Sequence, residues 1–585
     1  MDKKMNEISQ RRQQWEEGTV KKALSRFGYI QKAPSKFYAP DTLGKFDFLE
    51  KVGFPGECPY TAGPYPFRPN AALEEFVEKS EKFKRGSSGQ TRAAEYSGYG
   101  SPESTRNYYK NMIAIGSISG PNLALDLPTQ LGYDSDNPAI EGEVGKVGVC
   151  VDTLRDFEVI YEPFQGKLNL DKIATAWTIN APANIFIAMY LALAEKRGIS
   201  FEKLRATPQN DILKEYLARG TYIFPPENAL RLFRDSLVFL AKNTPRINIV
   251  SGGGYHIREA GATREQDLAY SMANIATYCQ IGIDAGLSID DFAPQFTINA
   301  FGGDVEFLKE IAFARASRRM YATMMKERFG AKDPKSMIIR QQRGAHMGRC
   351  NTTTQRPLNN LTRSIIGAIA SGLSGGPPSA FPPFDESLGL GWSLEARQLS
   401  EDAQRILTTE AKILEVEDPF AGSYYMESLT NEIEGNAWEE FEKIMSMGGV
   451  VAAIESGYIK REIANSAYTR QRMVESGKHY IVGVNCFTGN NELDVKVETI
   501  VENPYDPSER EKAEELQKKN LAMVKRNRHE KGITKSLEAL KKVAMDVNAN
   551  TIPPLIQCAK EYVTLQEMCD VFREVFGEYE QVQGL

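Results

Sequence analysis

A chain of 585 residues exceeds one ordinary core, so its length points to two or three domains or to one large barrel with appendages. Hydrophobic content of 42% with 25% charged residues excludes a disordered chain, and a net charge of −6 leaves no basic footprint for nucleic acid. The seven cysteines (Cys58, Cys150, Cys279, Cys350, Cys486, Cys558 and Cys569) are scattered with no CxxC pair, which reads as reduced thiols, not a disulfide frame or zinc site.

The start, MDKKMNEISQRRQQWEEG, is a charged helix without the apolar centre of a signal peptide, and a Pro/Gly-rich arm, FPGECPYTAGPYPFRP, follows it. Residues 74–92 read as an exposed charged helix ending in a Gly/Ser turn. From about residue 110 to 420 short β-rich runs alternate with helical stretches. KIATAWTIN (172–180) leads into APANIFIAMYLALAEKRG, and KLRATPQ (203–209) into NDILKEYLARG. RINIVSGGG (246–254) precedes REQDLAYSMANIATYCQIGIDAG, and DDFAPQFTINAF (290–301) precedes DVEFLKEIAFARASRRMYATMMKERFG. SMIIRQQ (336–342) comes before LNNLTRSIIGAIASGLSG. Strand, polar loop and helix in repeated succession predict a parallel α/β fold, and the repeat count favours a (β/α)8 TIM barrel over a doubly wound sheet.

The expected organisation is an N-terminal helical and extended arm over 1–60, a (β/α)8 barrel over 61–420 and a C-terminal helical region over 421–585. Within the last, SEREKAEELQKKNLAMVKRNRHEK (508–531) reads first as a solvated helix face and second as a partner surface. The longest apolar run near the middle, IFIAMYLALA (185–194), is far short of the ~20 residues that span a bilayer. A soluble cytoplasmic protein that meets neither membrane nor nucleic acid is expected.

No GxxxxGK[ST] or HExxH motif occurs. The four histidines (His256, His346, His479 and His529) are not spaced as metal ligands, so no protein-held metal centre is expected. In a TIM barrel the chemistry sits where strands end, and both His256, just past INIV, and Gln209, just past KLRAT, occupy such places. Read alone, His256 is either a structural histidine or a donor polarising a carbonyl at the barrel mouth. Arg219 is either a helix C-terminal cation or a ligand for an anion, and Tyr96 either a core aromatic or a site residue. The glycines of SGGGYHIREAGA (251–262) signal that backbone comes close to something bulky.

Longer strings resolve these ambiguities together. GPYP (63–66), YSGYG (96–100), LDLPTQLGYDSDNP (125–138) and QNDILKEYLARGTYIFPP (209–226) are followed by GYHIREAGA (254–262), FAP (292–294), FDESLGL (384–390) and DPFAGSYYMESLT (418–430). From about residue 57 onward the chain resembles the large catalytic subunit of the adenosylcobalamin-dependent acyl-CoA mutases, the methylmalonyl-CoA mutase family. The resemblance implies a (β/α)8 barrel threaded by the CoA arm, with cobalamin across the strand-end face. It implies a radical rearrangement in which a thioester-bearing group migrates to the neighbouring carbon. Carried over by position, it makes His256 the donor to the thioester carbonyl and Gln209 a contact to the same region. Arg219 becomes the partner of a substrate carboxylate, a role suited to a planar guanidinium. Tyr96 becomes the tyrosine set against the substrate, and Glu259 and Glu386 the glutamates beside cobalamin and its adenosyl group.

Departures from the family pattern bear on the substrate. Retention of Tyr96 and Arg219 favours an acid of malonyl or succinyl type over a hydroxyacyl group. RGAHMGRCNTT (343–353) replaces a family loop of HxQTSG type, and PPSAFPP (377–383) replaces a polar segment, with Phe381 making that wall apolar. These changes predict an alkyl- or aryl-substituted malonyl-CoA; a plain methylmalonyl-CoA mutase, a 2-hydroxyacyl-CoA mutase and a non-catalytic paralogue are the competing readings. Gln295 stands where an arginine commonly follows FAP; Arg68, Lys82, Lys84 and Arg85 are candidate substitutes for lost CoA phosphate contacts, with a charged surface helix the first reading of the last three. No DxHxxG string occurs, so the expected cobalt-binding histidine comes from a separate small cobalamin-binding subunit in a hetero-oligomer.

Overall fold

The computed structural model describes residues 2–26, 37–67, 96–98, 100–114, 120–298, 304–340, 352–376, 383–385, 387, 394–489 and 507–580. It is a mixed α/β structure, mostly helical, in which short parallel strands follow one another in chain order. The strands β1 (Tyr96–Ser97), β2 (Asn122–Ala124), β3 (Thr175–Thr178) and β4 (Ala206–Pro208) form one sheet in the order β1-β2-β3-β4. A second sheet pairs β5 (Val250–Gly252) with β6 (Phe296–Ile298), and every pairing is parallel. The sheets are joined by backbone bonds: Asn248 N–H donates to Ala206 O and Ser251 N–H to Gln209 O, both at 2.8 Å. Beyond β6, Ile298 N–H donates to Arg340 O at 3.3 Å, so the extended 338–340 segment continues the same succession. Strands β4, β5 and β6 are buried at every position, as parallel strands covered on both faces must be.

The helices follow their local signals. Thr263 and Gln266 form a capping box that starts the helix Arg264–Asp284, and Thr564 and Glu567 do the same for Leu565–Phe576. In the latter, Leu565, Met568, Cys569 and Phe572 fall on one face and are buried. The helix Ala183–Lys196 is buried from residue 183 to 194 because other helices pack on it, most extensively Ile552–Lys560. The main hydrophobic core is continuous from Tyr60 to Phe572. Among the described residues no helix is long and apolar enough to cross a membrane.

Two segments differ from the sequence expectation. NDILKEYLARG predicts a full helix, yet only a wide turn forms over Glu215–Arg219, ended by Gly220 at φ +89°. The Glu215 carboxylate turns inward to bond Thr221 and so cannot serve an outward helix face. DDFAPQFTINAF predicts a strand from residue 290, but Ser288 and Asp291 form a capping box and the chain stays helical to Gln295 before β6 begins.

Three arginines of the helix Phe307–Thr323 fasten distant segments. Arg318 is fully buried, and its guanidinium donates to the carbonyls of Tyr60, Thr61 and Ser374. Arg319 donates to Lys51 O and pairs with Glu434 at 2.5 Å. Arg315 bridges Asp418 at 3.0 Å and Glu427 at 2.6 Å, with all three side chains buried. Burial pushes the Asp418 carboxyl up to about 6 while Arg315 pulls it back. Replacing Arg315 with Leu strands two carboxylates out of water. The Arg315→Leu variant is expected to lose about 3–5 kcal/mol of stability, read from the urea midpoint; a loss below about 1 kcal/mol means water reaches the pair.

Candidate active site

The ends of β4 and β5 carry the residues that bear on chemistry. Immediately after β4 the chain places Gln209, Asn210, Asp211, Lys214 and Glu215, all buried. Asn210 adopts φ +49° and its side-chain amide donates to Ile249 O at 2.9 Å. Asp211 crosses to the next strand, accepting from Gly253 N–H at 2.7 Å and from the Tyr278 hydroxyl at 2.6 Å. Burial pushes the Asp211 carboxyl up, against the pull of Lys214 and the Tyr278 bond.

Glu215 is the hub. Its Oε1 accepts from Asn180 Nδ2 at 2.6 Å and faces Lys214 Nζ at 3.2 Å and Arg219 Nη1 at 3.3 Å. Its Oε2 accepts from Thr221 N–H at 3.0 Å and Thr221 Oγ1 at 2.6 Å. Burial alone would raise this carboxyl, but Lys214, Arg219 and the Thr221 bonds hold it below the usual range. Lys214, completely buried, is brought down to about 8 by desolvation, with Glu215 opposing the fall. Arg219 is half-buried and uses Nη1 for Glu215 and for Thr221 Oγ1 at 3.2 Å. Its Nε and Nη2 make no hydrogen bond among the described residues, which leaves two parallel donors for a carboxylate.

Past β5, the short helix Gly254–Glu259 carries Tyr255, His256 and Glu259, each half-buried, and packs against the Glu215–Arg219 turn. The rings of Tyr255 and His256 lie 3.8 Å apart between centroids. The structure therefore sets Gln209, Arg219, His256 and Glu259 on the segments that follow β4 and β5, two of which, the Glu215–Arg219 turn and the Gly254–Glu259 helix, pack together. Tyr96 lies in β1 of the same parallel series, and only its backbone is described. Phe381, Glu386, Arg68, Lys82, Lys84 and Arg85, with the replacement loop from 343 to 351, fall outside the described residues.

The bulk that SGGG accommodates belongs to this chain. A Cβ on Gly253 would sit 2.9 Å from Lys214 Cδ and 3.3 Å from His256 Nδ1, and one on Gly254 only 2.2 Å from Asp267 Oδ1. Gln295 is equally internal: it is buried and donates to Thr244 O and Ile247 O at 2.9 and 2.7 Å, so it ties loops together. Sequence reasoning missed Lys214, Asn180 and Arg258. The last is buried and pairs with Glu310 at 3.1 Å and Asp304 at 3.4 Å, anchoring the His256 helix. The one available signal was the KE pair inside a run too apolar to be a solvated helix.

Asp267 supports the same helix from below and accepts from Ser271 Oγ at 3.2 Å. Burial drives its carboxyl up to about 7, with Arg258 and Ser271 pulling the other way. A carboxyl raised above its unfolded value stabilises the fold at low pH, and that contribution is lost as pH climbs through 7. Asp267→Asn cannot ionise, so its stability relative to the parent should improve by on the order of 2 kcal/mol between pH 5 and 8. Denaturant titrations of both proteins at several pH values test this; a pH-independent difference refutes it.

Comparison with known proteins places these residues in context. The family model described as methylmalonyl-CoA mutase matches residues 81–578. The chain is 34% identical to the 2-hydroxyisobutanoyl-CoA mutase large subunit of Aquincola tertiaricarbonis, covering 98% of each. It is 35% identical to the probable mitochondrial methylmalonyl-CoA mutase of Caenorhabditis elegans, covering 92% of this chain and 68% of that protein. With the methylmalonyl-CoA mutase of Escherichia coli strain K12 the identity is 36%, over 83% of this chain and 65% of the relative.

Proposed function

Because the chain belongs to the methylmalonyl-CoA mutase family, whose members are adenosylcobalamin-dependent isomerases of acyl-CoA thioesters, we propose that it rearranges an alkyl- or aryl-substituted malonyl-CoA to the matching succinyl-CoA. The observation that carries the choice of an acid is Arg219. Its guanidinium is held by Glu215 through one nitrogen and keeps two donors for a second carboxylate. A hydroxyacyl thioester offers no such group. The apolar wall expected from Phe381 and its flanking prolines favours a substituent larger than methyl.

In this reading the succession β1 to β6 and the 338–340 segment are parts of a closed (β/α)8 barrel spanning 61–420, with the 1–60 arm and the 421–585 helices outside it. His256 donates to the thioester carbonyl, Gln209 contacts the same group, and Tyr96 packs against the substrate. The residues present fit a large flat cofactor: Tyr255, His256 and Glu259 leave a ring, an imidazole and a carboxylate half-open on one side of a single helix. Glu259 and Glu386 would hold adenosylcobalamin, which when bound supplies the radical chemistry of the family. The chain's own tasks are to keep water out and to fix the thioester and acid at a set separation. A separate small cobalamin-binding subunit, carrying the cobalt histidine, completes the enzyme. The match over 98% of a relative named as a large subunit supports that partnership, and a cytoplasmic setting suits it.

The second reading, a 2-hydroxyacyl-CoA mutase, rests on that same full-length relative. The chain reconstituted with adenosylcobalamin and a cobalamin-binding partner separates the two on a panel of acyl-CoA thioesters. Carboxylate-bearing substrates should dominate, and Arg219→Ala should cut their kcat/KM by about 100-fold or more. Preference for 2-hydroxyisobutanoyl-CoA, undiminished by Arg219→Ala, would sink the acid assignment.

A further inference from the structure

Gln209 is held in one amide orientation by two donors that approach the same atom. Its Oε1 accepts from Lys214 Nζ at 2.5 Å and from Asn180 Nδ2 at 2.9 Å. The flipped amide would press its own N–H2 against an ammonium and a second amide N–H2, which no hydrogen bond can satisfy. Asn180 cannot turn to relieve that conflict. Its Oδ1 accepts from Asp211 N–H at 3.0 Å while its Nδ2 also serves Glu215 at 2.6 Å. Lys214 is equally confined, with its ammonium beside Glu215 and its stem against the point where Gly253 lacks a Cβ. Gln209 Nε2 makes no hydrogen bond among the described residues, so the donor end of the amide is the end left for a ligand.

We propose that Lys214, with Asn180, is a positioning residue that locks Gln209 as a hydrogen-bond donor, so that the site presents two donors, Gln209 Nε2 and the His256 imidazole, to the thioester carbonyl. The inference rests on the acyl-CoA reading above and deepens it. Lys214 touches neither substrate nor cofactor; it acts by making the glutamine read a carbonyl oxygen and reject a donor. Its ammonium, lowered only to about 8, is still protonated at neutral pH. The stem of Lys214 and the His256 ring both border Gly253.

The test measures calorimetric binding of succinyl-CoA and of its thioether analogue, 3-carboxypropyl-CoA, in which the carbonyl is a methylene. Both are titrated into the full chain in four forms: parent, Lys214→Met, Gln209→Ala and the double variant. The parent should prefer the thioester by about threefold to tenfold. Each single variant should reduce that preference to about twofold or less, and the double variant should reduce it no further. The infrared carbonyl stretch of bound succinyl-CoA, lowered in the parent, should move back toward its solution value in Lys214→Met. Equal weakening of thioester and thioether by Lys214→Met, with the preference intact, would assign Lys214 a merely structural role and overturn the inference. If Lys214→Met does not fold, Asn180→Ala removes the other donor to Oε1 and carries the same expectation. Failure of the parent to bind either ligand overturns the acyl-CoA reading itself, and this inference with it.

Discussion

Everything at the strand-end face is arranged around one carboxylate that has been taken out of water. Burying Glu215 costs several kcal/mol unless its lone pairs are met by charge and hydrogen bonds. The chain meets them from Asn180, Lys214, Arg219 and both donors of Thr221. That requirement sets the local backbone. Residues 215–221 must fold back on the carboxylate, which is why a wide turn closed by Gly220 replaces the regular helix. It also decides where the cations go: Lys214 inward and fully buried, Arg219 outward and half-open. Strand-to-strand links then propagate the arrangement, since Asn180 follows β3, Gln209 follows β4, and Asp211 reaches Gly253 past β5.

The parallel α/β character and the placement of Gln209 and His256 at strand ends were legible from sequence, because alternating β-rich and helical runs and polar residues after apolar ones are local signals. Family strings singled out Arg219 and Glu259, which the fold sets on the turn and the short helix that follow β4 and β5. Lys214 was not singled out. The apolar surroundings of the KE pair in NDILKEYLARG speak against a solvated face, but only the three-dimensional meeting of β3, β4 and β5 shows where the lysine turns. The glycines of SGGG were seen as places of close approach, but the approaching groups, Lys214 and Asp267, are distant enough in sequence to leave no local trace. Gln295 illustrates the converse. Substitution of an expected arginine looks like a change in ligand contact, whereas its amide donates to two loop carbonyls inside the fold.

The turn that carries Arg219 is backed by aromatic packing from the far end of the chain. Tyr216 stacks on Tyr222 with centroids 4.9 Å apart, and Tyr579 meets both edge-on at 5.1 and 5.0 Å. Tyr216 Oη donates to Phe224 O at 2.5 Å and Tyr579 N–H to Ile223 O at 2.9 Å, so the loop is closed on itself and tied to the C-terminal segment. Such pairs contribute about 0.5–1.5 kcal/mol each beyond their area, enough to hold a loop in one state. They also keep water from the back of the Glu215–Arg219 pair, which strengthens every charge interaction there. Under the proposed function an incoming carboxylate would not compete with Glu215, because the guanidinium meets the glutamate through Nη1 and its Nε and Nη2 make no hydrogen bond among the described residues. A neutral group at the same place would leave those two donors desolvated and unpaired. On the proposed function, discrimination by charge is therefore built into the turn itself, independent of how large a substituent the opposite wall admits.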